Sequence, residues 1–330
     1  MFWLVVVLAV TVGGYRAVSG LPALVGVLVP SGLMAAEAGP IVPVSHMVVP
    51  LKLDGMTSRY SPAVLSPVSG RGYPAWLTAR IRFAKDWSAG SGSDAPARKP
   101  VIAIVIDDLG TNPAATRRAI ALPKAVTLSF LPYAQTTPAL ARAASRAGHE
   151  VIVHVPMQPI GREDPGPMAL TTAQDAQQIV QRLDWALARV PGHAGINNHM
   201  GSKFTADARA LVPVMETLAD RHLFFFDSVT SPRSVVVPLA HAFGVASEGR
   251  DVFLDDVQTT DAVEVQLAEL AAIARHQGVA IAIGHPHDVT LDVLAEWASR
   301  TAAQGLTLVP VSEAIRLKTR RAALKQLAVK

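Results

Sequence analysis

Val101-Ile102-Ala103-Ile104-Val105-Ile106-Asp107-Asp108 carries six apolar residues into a pair of carboxylates. A short continuous apolar run of this kind, followed by a helical pattern from Pro113, reads as a buried strand of a parallel sheet. The unit recurs. Strands are expected at 101–106, 126–130, 150–154, 195–197, 223–226, 252–253, 279–283 and 307–309. Helices are expected between them at 113–121, 138–147, 173–188, 206–220, 262–276 and 291–304, with Thr171 or Thr172 capping the third and Thr290 the last. Strands alternating with helices are the mark of βα units. Polar residues close one strand after another: Asp107-Asp108 the first, His154 the third, Asn197-Asn198-His199 the fourth, Asp227-Ser228 the fifth and His285-Pro286-His287 a late one. Loops after the C-terminal ends of parallel strands form the active face of a barrel or open α/β sheet, so these residues are expected on one rim.

The chain has 330 residues, 50% of them hydrophobic and 17% charged, which suits one large α/β domain with extensions. Its formal charge of +4 is partly terminal, with Lys318, Arg320, Arg321, Lys325 and Lys330 crowding the end. That excess is too thin and too local to imply nucleic acid as a partner. Cysteine is absent, which excludes thiolate zinc ligands, a cysteine nucleophile and disulfides. Residues 1–38 are apolar apart from an interruption at Arg16, and end in Ala36-Glu37-Ala38, a small-x-small pattern. They read as a signal peptide or as an uncleaved membrane anchor, and either places the rest outside the cytoplasm, in the periplasm or anchored to the inner membrane. Residues 39–99, rich in Pro, Ser and Gly, read as a largely disordered linker with one short packed piece around Trp76. The main domain is expected over 100–316, and 317–330 as a basic C-terminal tail.

Two adjacent carboxylates at the end of a buried strand repel unless a cation shares them, and a divalent metal is the usual solution. One of Asp107 and Asp108 can then bind metal while the other serves as a base; the bland alternative is a helix cap beside a solvated carboxylate. His154 ends an apolar strand, where a lone histidine is more often a hydrogen-bonded core residue. His199 sits in the cluster Gly195-Ile196-Asn197-Asn198-His199-Met200-Gly201-Ser202, which no strand or helix propensity explains. Imidazoles with a carboxylate make a normal zinc set with one position open for water. His285, delivered by Ala280-Ile281-Ala282-Ile283-Gly284, has the unperturbed pKa near 6.5 that suits a general acid at neutral pH. Asn197, Asn198, Asp227, Ser228 and Asp255 are expected to bind substrate or to support these groups. Ser228 lacks a Gly-x-Ser-x-Gly elbow, which disfavours a serine hydrolase.

The order of motifs resembles the divergent polysaccharide deacetylase family: IDDLG at 106–110, GHEVIVHVPMQP at 148–159, GINNHMGS at 195–202, FDS at 226–228, VFLDD at 252–256 and IGHPH at 283–287. The resemblance spans roughly residues 100–316. It implies a distorted (β/α) barrel of the glycoside hydrolase/deacetylase type, a divalent metal ion, zinc by preference, and a cell-envelope glycan as substrate. It also implies Asp107 as the base and Asp108 as a metal ligand, with His154 as the first metal histidine. The second histidine of that motif belongs four residues later, where this chain has Gln158, so His199 is inferred as the replacement. The arginine-containing motif of typical members is not evident near 195–205. Three functions fit: a peptidoglycan N-deacetylase-like hydrolase, a catalytically silent glycan-binding or division-associated envelope protein, and an amidase on the same scaffold.

Overall fold

The computed structural model describes residues 99–328; the apolar N-terminus and the linker up to residue 98 lie outside the described residues. The elements are β1 (Val101–Leu109), α1 (Pro113–Ile120), β2 (Thr127–Phe130), α2 (Thr137–Ala147), β3 (Val151–Met157) and α3 (Ala176–Arg189). They continue as β4 (His193–Met200), α4 (Ala208–Arg221), β5 (Phe224–Asp227), α5 (Val236–Ala242), β6 (Ser247–Gly249) and β7 (Val252–Phe253). The last are α6 (Thr260–Gln277), β8 (Val279–Gly284), α7 (Asp288–Arg300), β9 (Thr307–Leu308) and α8 (Val311–Ala328). The strands pair in the order β6-β5-β4-β3-β2-β1-β8-β7, all parallel, with β9 beside the start of β1. Eight parallel strands thus curl into a half-barrel with helices between them, the distorted (β/α) barrel that the sequence implies.

Alternation places Ala103 and Val105, Phe224 and Phe226, and Ile281 and Ile283 on one face, where they form a buried cluster with Ile152. Val311, Ala314 and Ile315 of α8 complete it, all fully buried. Each such aliphatic side chain contributes about 1.5–3 kcal/mol on leaving water. The two ends of the strand order, β6 and β7, do not pair among the described residues, and α8 packs against β1, β5, β6 and β8. Its Lys318 Nζ lies 2.9 Å from both Asp251 carboxylate oxygens and 3.9 Å from Glu248. Asp251 also accepts from the Ile281 backbone N–H at 2.8 Å. The stretch that the sequence sets apart as a basic tail therefore runs on as the second half of α8. Burial raises the Glu248 pKa, opposed by the Lys318 charge. Removing the ammonium leaves two half-buried carboxylates facing each other, so Lys318→Ala is expected to lose about 1–3 kcal/mol in urea denaturation.

Several expectations shift. The third helix starts at Ala176 and is capped by Asp175, whose carboxylate accepts from Gln178 N while the Gln178 side chain returns the bond. Thr171 and Thr172 are spent elsewhere, on Gln174 and Gln158. The last predicted helix begins at Asp288, and Thr290 donates to Asp255 at 2.9 Å rather than capping it. The sequence reading has no counterpart for α5, β6 or α8.

Candidate functional site

The pairing of β1 with β2 shifts register between Ile106 and Leu109, a local irregularity of the kind that re-aims side chains beside active sites. Asp108 there adopts φ 57°, costly for a residue with a side chain. Gly110 follows at φ 105°, and a Cβ at this position would collide with Thr137 Oγ1. Asp107, 2% exposed, is thereby held inside the rim while Asp108 faces the neighbouring strands. On β3 and β4, His154 lies beside Asn197 and Pro156 beside His199. Because side chains alternate, His199 and Asn197 share a face, and both reach His154.

Three ligand atoms then meet. Asp108 Oδ1 lies 3.2 Å from His154 Nε2 and 3.0 Å from His199 Nδ1, and the two nitrogens are 3.1 Å apart. Ligands about 2.0–2.1 Å from a tetrahedral zinc lie about 3.3 Å from one another, so the triangle has the dimensions of one face of such a site. Asp108 Oδ1 is moreover buried with only the two ring nitrogens beside it and no well-aligned hydrogen bond, a costly condition unless a cation, a metal ion or a protonated imidazole, faces it. Burial raises the Asp108 pKa, but the two imidazoles more than offset this and hold the carboxyl far below its usual range. Burial lowers the His154 pKa, yet the Asp107 and Asp108 charges raise it on balance. The cluster favours positive charge, and its donors fit a divalent ion.

Around it, Asn197 Nδ2 donates to both oxygens of Asp107 at 2.9 and 3.0 Å, and to Ser228 Oγ at 3.1 Å. Asn198 ties the rim loops together, accepting from Ser228 N at 2.9 Å and donating to Met200 O at 2.7 Å. Asp227 turns into its own loop, accepting from Val229 N at 2.8 Å and Ser234 Oγ at 2.6 Å. Val229 is held at φ 51°, strained for a β-branched residue. Gln158, at the position where a histidine was expected, accepts from Thr172 N and Oγ1 at 3.0 and 3.1 Å and thus anchors a loop.

Across the rim, Asp255 accepts from His285 Nδ1 at 2.9 Å and His285 N at 2.6 Å. Burial lowers the His285 pKa, but this pairing and the Asp107 and Asp108 charges outweigh it and push the pKa up to about 9. His287 lies with its ring 6.0 Å from that of His285. Asp255, His285 and His287 form a second trio, whose ligand atoms lie within 4.8 Å of one another. Its carboxylate already accepts from three donors, Thr290 included, so an Asp–His pair describes it better than a second metal cradle.

The sequence reading missed Ser129 and Arg250. Ser129 donates to Asn197 at 2.6 Å, and a hydroxyl inside the apolar run Leu128-Ser129-Phe130 was the available signal. Arg250 donates from Nε to Ser228 O at 2.7 Å and stacks 4.9 Å over Phe253. It follows the three-residue β6, which has no apolar pattern to announce it.

Comparison with known proteins agrees with this architecture. The model of the divergent polysaccharide deacetylase family matches residues 104–315. The uncharacterized protein YibQ of Escherichia coli K12 is 37% identical over 195 residues, covering 59% of this chain and 61% of that protein. The chain thus matches about three fifths of that relative's length. An uncharacterized Haemophilus influenzae protein is 37% identical over 196 residues, covering 58% of this chain and 69% of its own. The crystal structure of the uncharacterized protein ATU2773 from Agrobacterium tumefaciens superposes with a TM-score of 0.64 at 30% identity, over 70% of this chain and 94% of that one.

Proposed function

The chain belongs to the divergent polysaccharide deacetylase family, and from that premise we propose that it is a metal-dependent hydrolase that removes acetyl groups from an N-acetylated envelope glycan. The observation that carries this reading is the triangle of Asp108, His154 and His199, sized for a tetrahedral cation and beside a second, ionisable carboxylate. Asp108, His154 and His199 would hold the ion, zinc by its donor set, and the ion would supply Lewis-acid polarisation of the acetyl carbonyl. Asp107 accepts a proton from the attacking water. His285 gives its proton to the amine as the C–N bond breaks, leaving acetate and a free amino sugar. The apolar segment ending at Ala38 supports export, so the domain is assigned to the periplasm, soluble or anchored. One observation favours a second reading, glycan binding without turnover: Gln158 is used as a loop anchor and not as a ligand.

Elemental analysis of purified protein, followed by acetate release from acetylated glycan, tests the proposal. About one divalent ion per chain is expected. Changing Asp108, His154 or His199 to Ala is expected to lower metal content strongly, because a three-ligand site loses both affinity and geometry with any one of them. Full occupancy in all three variants would place the ion elsewhere.

A further inference from the structure

Asn197 is fully buried and offers no atom of its own to a cation, yet its amide is in contact with both halves of the proposed chemistry. Its Nδ2 donates to Asp107 Oδ1 and Oδ2 at 2.9 and 3.0 Å, and its Oδ1 accepts from His154 Nδ1 at 2.9 Å and Ser129 Oγ at 2.6 Å. We infer that Asn197 is the positioning residue that couples the proton acceptor to the metal cradle, so that cation affinity is set in part by a side chain that binds no cation.

An ionised carboxylate only accepts, so the amide atom facing Asp107 is the NH2 group. The carbonyl oxygen therefore faces His154, and the ring nitrogen beside it must carry hydrogen. Neutral His154 is thereby fixed as the Nδ1–H tautomer, which aims the Nε2 lone pair at the point shared with Asp108 Oδ1 and His199 Nδ1. One amide thus orients the carboxylate that takes a proton and selects the histidine nitrogen that binds the ion. Asp107 lies only 3.7 Å from His154 Nε2, so without the amide holding it the carboxylate could take that nitrogen's place as a partner of the cradle.

Two substitutions separate the halves, and the inference rests on the metal-dependent reading above. Asn197→Asp keeps an acceptor towards His154 but sets oxygen against Asp107. It is expected to hold metal at least as well as wild type while turnover falls by about two orders of magnitude or more. Asn197→Leu keeps volume and loses both bonds, and is expected to weaken metal affinity by about 10–100-fold. Zinc affinity is read by competition with a chromophoric chelator, folding by thermal unfolding and turnover by acetate release. A folded Asn197→Leu protein with wild-type zinc affinity, or Asn197→Asp with wild-type turnover, overturns the coupling. Nitrogen-15 NMR of metal-free wild type gives a readout free of metal and of either variant. Neutral His154 is expected as the Nδ1–H tautomer, and the Nε2–H tautomer overturns the inference. Wild type that binds no zinc but shows the Nδ1–H tautomer instead removes the metal-dependent reading and leaves the positioning role of Asn197 intact.

Discussion

Asp107→Asn is expected to keep its metal and to lose turnover by about two to four orders of magnitude, the usual contribution of a general base. The side chain is 2% exposed and receives two hydrogen bonds from Asn197, so its position is fixed before substrate arrives. An amide fills the same space and can turn one oxygen towards Asn197, but it cannot accept the proton of water. Metal affinity is expected to change little, since Asp107 lies 3.7 Å from His154 Nε2 while Asp108 lies at 3.2 Å and within the triangle. Metal content and acetate release, measured on one preparation, check this. Loss of the ion along with turnover would make Asp107 a ligand and require a different base.

His285→Ala is expected to retain metal and fold while turnover falls by a similar two to four orders of magnitude, as for a lost general acid. The His285 side chain is 20% exposed, and with it removed Asp255 still accepts from the backbone N–H of residue 285 and from Thr290. The pH profile gives a second, sharper readout. With its pKa pushed up to about 9, His285 remains a cation, and so a competent donor, at neutral pH. The metal-loaded enzyme should therefore lose activity on an alkaline limb lying above the ordinary value near 6.5 and no higher than about 9, because a bound dication screens Asp107 and Asp108 while the Asp255 pairing remains. The stability this pairing contributes is fully present below about 6.5 and is lost as pH rises through about 9. Asp255→Asn weakens the pairing and should lower the limb further. A profile with no alkaline limb in wild type, or one that persists in His285→Ala, would reassign the acid.

Much of this was legible in the residues. The apolar runs that lead into Asp107-Asp108, His154 and His285 announce both a parallel sheet and a rim, although β3 runs on past His154, where the sequence reading ended it, through Pro156 to Met157. What could not be read was the geometry between strands. His199 joins the cradle because β4 extends to Met200 and pairs with β3 two residues out of step with His154, a register that no single strand encodes. Asp108 turns towards it at a register shift in β1, which also has no sequence mark. The helix α8 was hidden for another reason: its described apolar contacts, Val311, Ala314, Ile315 and Leu317, lie in its first two turns, and the rest reads as a charged tail. Thr290 looked like a helix cap because threonine often is one, and tertiary contact with Asp255 prevailed.

The proposed hydrolysis requires an ion held by Asp108, His154 and His199. Acetate release from an N-acetylated glycan, followed through chelation and metal restoration with bound metal counted in the same sample, tests it most directly. The expected result is activity that disappears with the ion, returns in proportion to occupancy, and does not return in His199→Ala. Hydrolysis that survives complete metal removal would contradict it.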